Sequence, residues 1–357
     1  MKKIVALLAF VLLLTGCQDA KETVENQTAN DVSTTDSLDD TFYRVVNFNT
    51  NLNRENYYTS FGNTMDFQTI GRELQILSTD HFSTSDYYMS EGQYLKTDDL
   101  KALMGRNEDP KKFPHSIEAP RGTNIGGVDN PIMVSTIHEQ DYYEKKGADY
   151  ELKGLSLAIV LDPRDEHNGR LATSMDASLV ESFGREAIDK LYKYLQTKDD
   201  LKGIPANICV YYATNTNESD INGRYILKSF CDGSVGSIET LNYQNYMFTS
   251  SEATAADEET SSQFEIFKSN MKKASTEAVG VIGYGRYKDG QIQSMKINLN
   301  VNVKTYTELL YLIATAADEL NSQFSGFDIK VLVYSQDQLE DIIVKDKGQD
   351  AKSILLY

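Results

Sequence analysis

The clearest chemical assignment in the chain is the thiol of Cys17. It follows Leu14, Thr15 and Gly16, and ahead of these the chain runs apolar from Ile4 behind Lys2 and Lys3. A short basic start, a brief apolar run and small residues before a cut are the parts of an export signal. The cysteine directly after the small pair marks the kind whose thiol receives a diacylglyceryl group before cleavage. A membrane-spanning helix needs about 20 apolar residues. This run is shorter and is followed at once by Gln18 and Asp19. The expectation is therefore a removable leader over residues 1–16 and a lipid on Cys17. Two or more acyl chains, at about 0.8 kcal/mol per buried CH₂, hold a protein on a membrane where one chain does not.

Other residues suggest chemistry with less support. His138 and Glu139 with nearby Asp141 have the residue types for acid-base work if a cleft gathers them. No GxSxG nucleophile motif accompanies them, so structural roles are expected and no catalytic residue is assigned. The four histidines, His81, His115, His138 and His167, form no HxH or HExxH pair, and no metal site is expected. Asp162-Pro163-Arg164-Asp165-Glu166 offers oxygen ligands, but the spacing is not that of a calcium loop and Arg164 places a cation among them. Gly280, Gly283 and Gly285 lack the helix that a dinucleotide fingerprint needs after its glycines. Cys209 and Cys231 lie in two strand-like runs whose antiparallel pairing could join the sulfurs. A disulfide is permitted outside the cell, and two separate buried thiols are the alternative. Tyrosine doublets at 57–58, 87–88, 142–143 and 211–212 suit either a peptide or glycan groove or the edges of strands and core.

Periodicity supplies the elements that must carry these groups. Residues 42–46 read as a strand, and Phe67, Ile70, Leu74 and Leu77 mark one face of a helix. A hairpin is expected over 87–95, and a short helix capped by Thr97 near 100–104. Residues 107–131, holding Pro110, Pro114, Pro120, Gly122, Gly126 and Gly127, read as a long loop and a first place to seek a binding surface. One motif then recurs. A strand at 155–161, a helix at 176–196 burying Val180, Phe183, Ala187, Leu191 and Leu195, and a strand at 208–212 are echoed later. The echo is a strand at 295–301, a helix at 305–324 burying Leu309, Ile313, Ala316, Leu320 and Phe324, and a strand at 329–334. Thr305 to Glu308 and Ser262 to Glu265 read as capping boxes, and Asp289-Gly290 as a hairpin turn. The stretch 250–259 reads as an acidic loop. The expected fold is α+β or α/β, with two tandem strand-helix-strand units on mixed or antiparallel sheets. The expected divisions are the leader at 1–16, a lipidated tether at 17–40, a first unit at 41–240 and a second at 241–357.

The tether is rich in Thr, Ser, Asn, Asp and Glu and almost without large apolar side chains, too few to offset ordering entropy. Its typical reach is on the order of 25 Å. The formal charge of the chain is −18, and loss of Lys2 and Lys3 with the leader makes the mature charge more negative still. Such a field repels phosphate backbones, so nucleic acid is not an expected partner, and anchoring falls to the lipid.

Several segments together carry a family resemblance. They are Leu14-Thr15-Gly16-Cys17, the acidic tether, Tyr43-Arg44, the stretch from Leu77-Ser78 to Gly92-Gln93-Tyr94-Leu95, Glu139-Gln140-Asp141-Tyr142-Tyr143, Asp199-Asp200-Leu201-Lys202-Gly203-Ile204-Pro205, and Thr254-Ala255-Ala256-Asp257. Their order and spacing resemble the CamS family of sex-pheromone-precursor lipoproteins of low-GC Gram-positive bacteria, nearly end to end. The resemblance implies processing by prolipoprotein diacylglyceryl transferase and signal peptidase II. It also implies release of a short hydrophobic peptide from the end of the leader, here Phe10, Val11, Leu12, Leu13, Leu14, Thr15 and Gly16. That window departs from the Ala/Ile-rich peptide associated with staphylococcal members. The expectation is a non-enzymatic body on the outer face of the membrane, without cofactor. The alternatives are an envelope module that binds a peptide or glycan, and an extracellular hydrolase.

Overall fold

A computed structural model describes residues 42–46, 66–106, 109–166, 175–213, 223–275 and 277–356. The leader, Cys17, the tether, Tyr57, Tyr58 and His167 lie outside them. In chain order the strands are β1 (Arg44–Val45), β2 (Tyr88–Glu91), β3 (Asn124–Ile125), β4 (Val128–Asp129), β5 (Ile132–Lys146), β6 (Asp149–Arg164), β7 (Ala206–Tyr212), β8 (Arg224–Cys231), β9 (Glu239–Thr240), β10 (Tyr243–Met247), β11 (Gly280–Lys288), β12 (Gln291–Val301), β13 (Asp328–Ser335), β14 (Gln338–Lys345) and β15 (Lys352–Leu355). The α-helices are α1 (Asp66–Ser78), α2 (Thr97–Met104), α3 (Ala177–Leu195), α4 (Ser251–Ala256), α5 (Glu258–Ala274) and α6 (Tyr306–Gln323).

The two main sheets have the orders β1-β2-β5-β6-β7-β8-β9 and β10-β11-β12-β13-β14-β15. From β2 onward the first runs antiparallel, antiparallel, parallel, antiparallel, antiparallel. The second runs through the same succession. The one parallel step in each is bridged by a long amphipathic helix, α3 between β6 and β7 and α6 between β12 and β13, because only a crossover connection can join parallel neighbours. The strand-helix-strand motif on mixed sheets, read from the apolar spacing, is thus the architecture observed.

Both crossover helices begin where their caps dictate. Asp176 accepts the N–H groups of Ser178 and Leu179, and the Thr305 hydroxyl accepts that of Glu308. Val180, Ala187, Leu191 and Leu195 are buried by α3, with Phe183 half-buried, and Leu309, Ile313, Ala316, Leu320 and Phe324 are buried along α6. The Asp289-Gly290 turn links β11 to β12 with both residues at positive φ, 52° and 75°, as a two-residue hairpin requires.

The sheets are covered differently. The first is sandwiched, with α2 and α3 over one face and α1 over the other, where Ile70, Leu74 and Leu77 pack on Ala158, Val160, Cys209 and Tyr211. The second carries α5 and α6 on one face. Along β11, β13 and β14 its strands alternate buried with exposed or half-exposed residues, as a sheet with one solvated face does. The second sheet is tied to elements of the first where Arg286 of β11 pairs with the buried Glu73 of α1 at 3.2 Å and Asn245 of β10 donates to the carbonyl of Gly223.

Four local expectations are corrected. The segment 87–95 is no hairpin: β2 pairs in parallel with β1 and antiparallel with β5, far along the chain. Thr97 is the first residue of α2 rather than its cap, and the Asp99 carboxylate accepts the Lys96 N–H. The acidic stretch 250–259 holds two helix starts, not a loop. The Ser250 hydroxyl caps α4 at Ala253, Asp257 caps α5 at Thr260, and the carboxylates of Glu252, Glu258 and Glu259 sit in first turns, where the helix dipole favours negative charge. That places the start of α5 ahead of the expected box at Ser262.

Candidate functional site

Strand β5 carries the residues singled out for acid-base chemistry, and its alternation separates them. Residues 138 and 140 face α1: the Gln140 amide donates to the Gly71 carbonyl at 2.9 Å, and a Cβ at Gly71 would lie 3.4 Å from His138 Nε2. Burial holds the His138 imidazole down at about 4, so it is neutral at ordinary pH. Residues 139 and 141 point to the opposite face. The strand thus sets His138 on one face of the sheet and Glu139 and Asp141 on the other.

Glu139 and Asp141 instead form a buried carboxyl pair beneath the strap that leads from β2 into α2. Glu139 accepts the N–H groups of Tyr94 at 3.1 Å and Leu95 at 2.9 Å. Asp141 Oδ2 accepts the Gln93 N–H at 2.9 Å and the Tyr143 hydroxyl at 3.3 Å. Gly92 makes this fit possible, since a Cβ there would collide with the Glu139 side chain. Burial pushes both carboxyls up, and the neighbouring Glu139 pushes Asp141 further, well above the usual carboxylate range. Asp141 Oδ1 is buried without a donor. A proton held on Asp141 and shared with Glu139 would resolve that orphan. What the pair does is accept three successive backbone N–H groups, those of Gln93, Tyr94 and Leu95.

Of the long segment 107–131, the described part, residues 109–131, is pinned rather than free. Among residues 109–131, Ile117, Ala119 and Val128 lie in the first core. The Glu118 carboxylate accepts the N–H groups of Ala119, Met133 and Val134 at 2.7, 2.8 and 2.9 Å. Arg106 ties the carbonyls of Ala119 and Asn130 together and reaches Glu166 at 3.5 Å. The tyrosine doublets within the described residues are framework as well. Tyr142 and Tyr211 are fully buried, and Tyr88 lies under the Arg44 guanidinium at 4.2 Å.

The cysteines are two separate buried thiols, and the disulfide alternative is not realised. The register opposes Cys209 to Lys228 and Cys231 to Ala206. Cys209 faces the α1 side and Cys231 the α3 side, so the sulfurs lie on opposite faces of the sheet. Gly283 and Gly285 sit inside β11 and make room for aromatic rings: a Cβ would collide with Phe264 at the first and lie 2.8 Å from Phe248 at the second. Asp162 is held by the Arg164 guanidinium at 2.6 Å, so a cation of the chain itself fills that would-be ligand set. Among the described residues there is no metal-binding cluster of His, Cys, Asp or Glu, and no helix long and apolar enough to cross a membrane.

Sequence reasoning missed one concavity. A cleft of about 730 Å³ opens beside the first turn of α5, lined by Asp257, Gln263, Gln291, Gln293, Asp328 and Lys347 among others. Its walls come from four separate stretches of chain, so no local pattern announces it.

With this geometry in view, the chain can be set beside known proteins. The model of the family described as CamS sex pheromone cAM373 precursor matches residues 48–351. The crystal structure of a sex pheromone precursor from Lactobacillus salivarius is similar at 21% identity and a TM-score of 0.80, covering 90% of this chain and 98% of that one. The C-terminal domain of the sex pheromone staph-cAM373 precursor from Staphylococcus aureus is similar at 19% identity and a TM-score of 0.67, covering 84% and 98%. At these identities the likeness shows the fold. None of the curated proteins matches. Because the family model spans most of the chain and its fold is that of these solved relatives, the chain belongs to the CamS sex pheromone cAM373 precursor family.

Proposed function

We propose that this chain is the precursor of two products: a short hydrophobic peptide, residues 10–16, and a lipid-anchored body held outside the cell on Cys17. The observation that carries this reading is Leu14-Thr15-Gly16-Cys17 at the end of a short apolar leader, in a chain of a family described as pheromone precursors. Prolipoprotein diacylglyceryl transferase acylates the thiol, signal peptidase II cuts before it, and the apolar remnant partitions into the membrane and suits an apolar receptor pocket. The acidic tether then spaces the body from the bilayer. The test is labelled palmitate with mass spectrometry of cells and supernatant. Incorporation that disappears in Cys17→Ala, together with a stable peptide of residues 10–16 in the medium, supports the reading. Label that survives Cys17→Ala refutes the anchor, and absence of the peptide refutes the signal.

A second reading, an envelope module that binds a glycan, is favoured by the cleft beside α5, whose glutamine-rich lining offers both donors and acceptors to hydroxyl groups. Titration with soluble cell-wall glycan fragments against Gln263→Ala and Gln293→Ala variants tests it. Binding that ignores both substitutions removes the cleft from consideration.

A further inference from the structure

The uncovered face of the second sheet carries an ordered row of side chains. Register aligns Ile282, Asn298, Leu332, Ile342 and Ile354 on five adjacent strands. Ile282 and Ile354 are 38% and 53% exposed, and Leu332 and Ile342 are half-exposed. Four inter-strand steps of about 4.8 Å make the row about 19 Å long. The adjacent row places Lys296, Lys330 and Lys352, all exposed, on β12, β13 and β15. None of the three pairs with a carboxylate among the described residues, although the chain is strongly acidic. Like charges directly opposite, as Lys296 and Lys330 are, disfavour a sheet. At the centre of the apolar row, Asn298 Oδ1 is buried without a hydrogen-bond donor.

The first sheet shows what such a face accommodates. There the same side of the same strand order seats α1, a helix of 13 residues and so about 20 Å long. Side chains of that sheet grip its backbone: the Tyr225 hydroxyl donates to the Ile70 carbonyl and the Gln140 amide to the Gly71 carbonyl. The second sheet has no helix in that place among the described residues. Through the Glu73–Arg286 pair, α1 stands beside the open face as a wall. Ile76, one turn on from Glu73, is 50% exposed.

We propose that the open face of the second sheet is a docking site for an acidic amphipathic helix of a partner protein. The apolar stripe of the helix covers Ile282, Leu332, Ile342 and Ile354. Its carboxylates meet Lys296, Lys330 and Lys352, and Asn298 hydrogen-bonds a polar group the helix brings. A second copy of this chain fits poorly as occupant, because face-to-face pairing would set the lysine rows against each other.

The test uses the chain from residue 17 onward with Cys17→Ser, and two synthetic amphipathic helical peptides of about the length of α1. The peptides share one apolar stripe and carry glutamate or lysine on the polar face. The glutamate peptide is expected to bind about tenfold or more tighter than its lysine twin. Lys330→Glu and Leu332→Asp should each weaken it by about tenfold, while Tyr311→Ala on the exposed side of α6 leaves it unchanged. Lys330 is exposed, so its substitution tests the surface without disturbing the fold, and circular dichroism checks both variants. No binding, equal binding of the two peptides, or binding indifferent to Lys330→Glu and Leu332→Asp overturns the proposal. Flotation of the protein with phosphatidylglycerol vesicles that these same substitutions abolish also overturns it, in favour of a lipid surface.

Discussion

Replacing Asp141 with asparagine should make the protein more stable at neutral pH, although it alters a fully buried side chain. In the folded chain Asp141 is pushed well above the carboxylate range by burial and by Glu139. Its unfolded value is about 3.9. A carboxyl raised on folding gives its full contribution below the unfolded value, where both states hold the proton. That contribution is lost as pH climbs toward the folded value, because the unfolded chain gives up its proton and the folded chain retains it. The slope in that window is about 1.4 kcal/mol per pH unit for this one group. Asparagine is neutral at every pH. Its carbonyl can accept the Gln93 N–H that Asp141 accepts at 2.9 Å, and its amide can donate to Glu139 as the shared proton does. Glu139, also pushed up by burial, stays in both proteins, so the difference between variant and wild type isolates position 141. Urea unfolding in steps from pH 4 upward measures it. The two proteins should agree to about 1 kcal/mol near pH 4, and the variant should gain on the wild type by about 1.4 kcal/mol per unit above that, until the folded value is passed. Parallel curves between pH 5 and 7, or a variant that loses stability steadily across that range, would show that Asp141 is ionised in the folded protein and that the shared proton is wrong.

Three further outcomes follow from the same geometry. Glu118→Ala should cost about 3 kcal/mol or more, since three buried backbone N–H groups lose their acceptor; faster limited proteolysis within residues 109–131 checks it, and an unchanged cleavage rate refutes the pinning. Gly283→Ala should destabilise the second unit by about 1–3 kcal/mol by driving a methyl into the Phe264 ring, as read by thermal unfolding, whereas a neutral result would mean that the ring moves freely. With Cys209 and Cys231 on opposite sheet faces and the Cys209 thiol pushed up to about 12, reductant should leave the melting temperature unchanged and both thiols should alkylate only after denaturation; a mass loss of two hydrogens in the oxidised protein would contradict this.

The helices α3 and α6 were legible because a 3.6-residue spacing of apolar side chains and a capping residue are local properties, and both survived into the structure. The strand-helix-strand recurrence was legible for the same reason. The stretch 250–259 misled because acidity marks both a solvated loop and a helix start. Only the buried Ala253 and Phe264 show which of the two applies here. The segment 87–95 misled because a strand's partner is set by register with a distant strand, and β5 competes for β2 more effectively than a neighbour does. Residues 107–131 carried every composition signal of a loop, while Glu118, which pins residues 109–131, looks in sequence like any other glutamate.

By itself the sequence determined the acidic charge and the two amphipathic helices between strands, since charge is a sum over residue types and helix spacing depends only on residues close together in the chain. The tertiary structure alone decided that His138 and Glu139 face apart, that Glu139 and Asp141 clamp a strap, that the two cysteines never meet, and that one sheet face is covered and its counterpart open. Those outcomes follow from which strands pair and in what register, and a shift of one residue would have turned every one of these side chains to the other face.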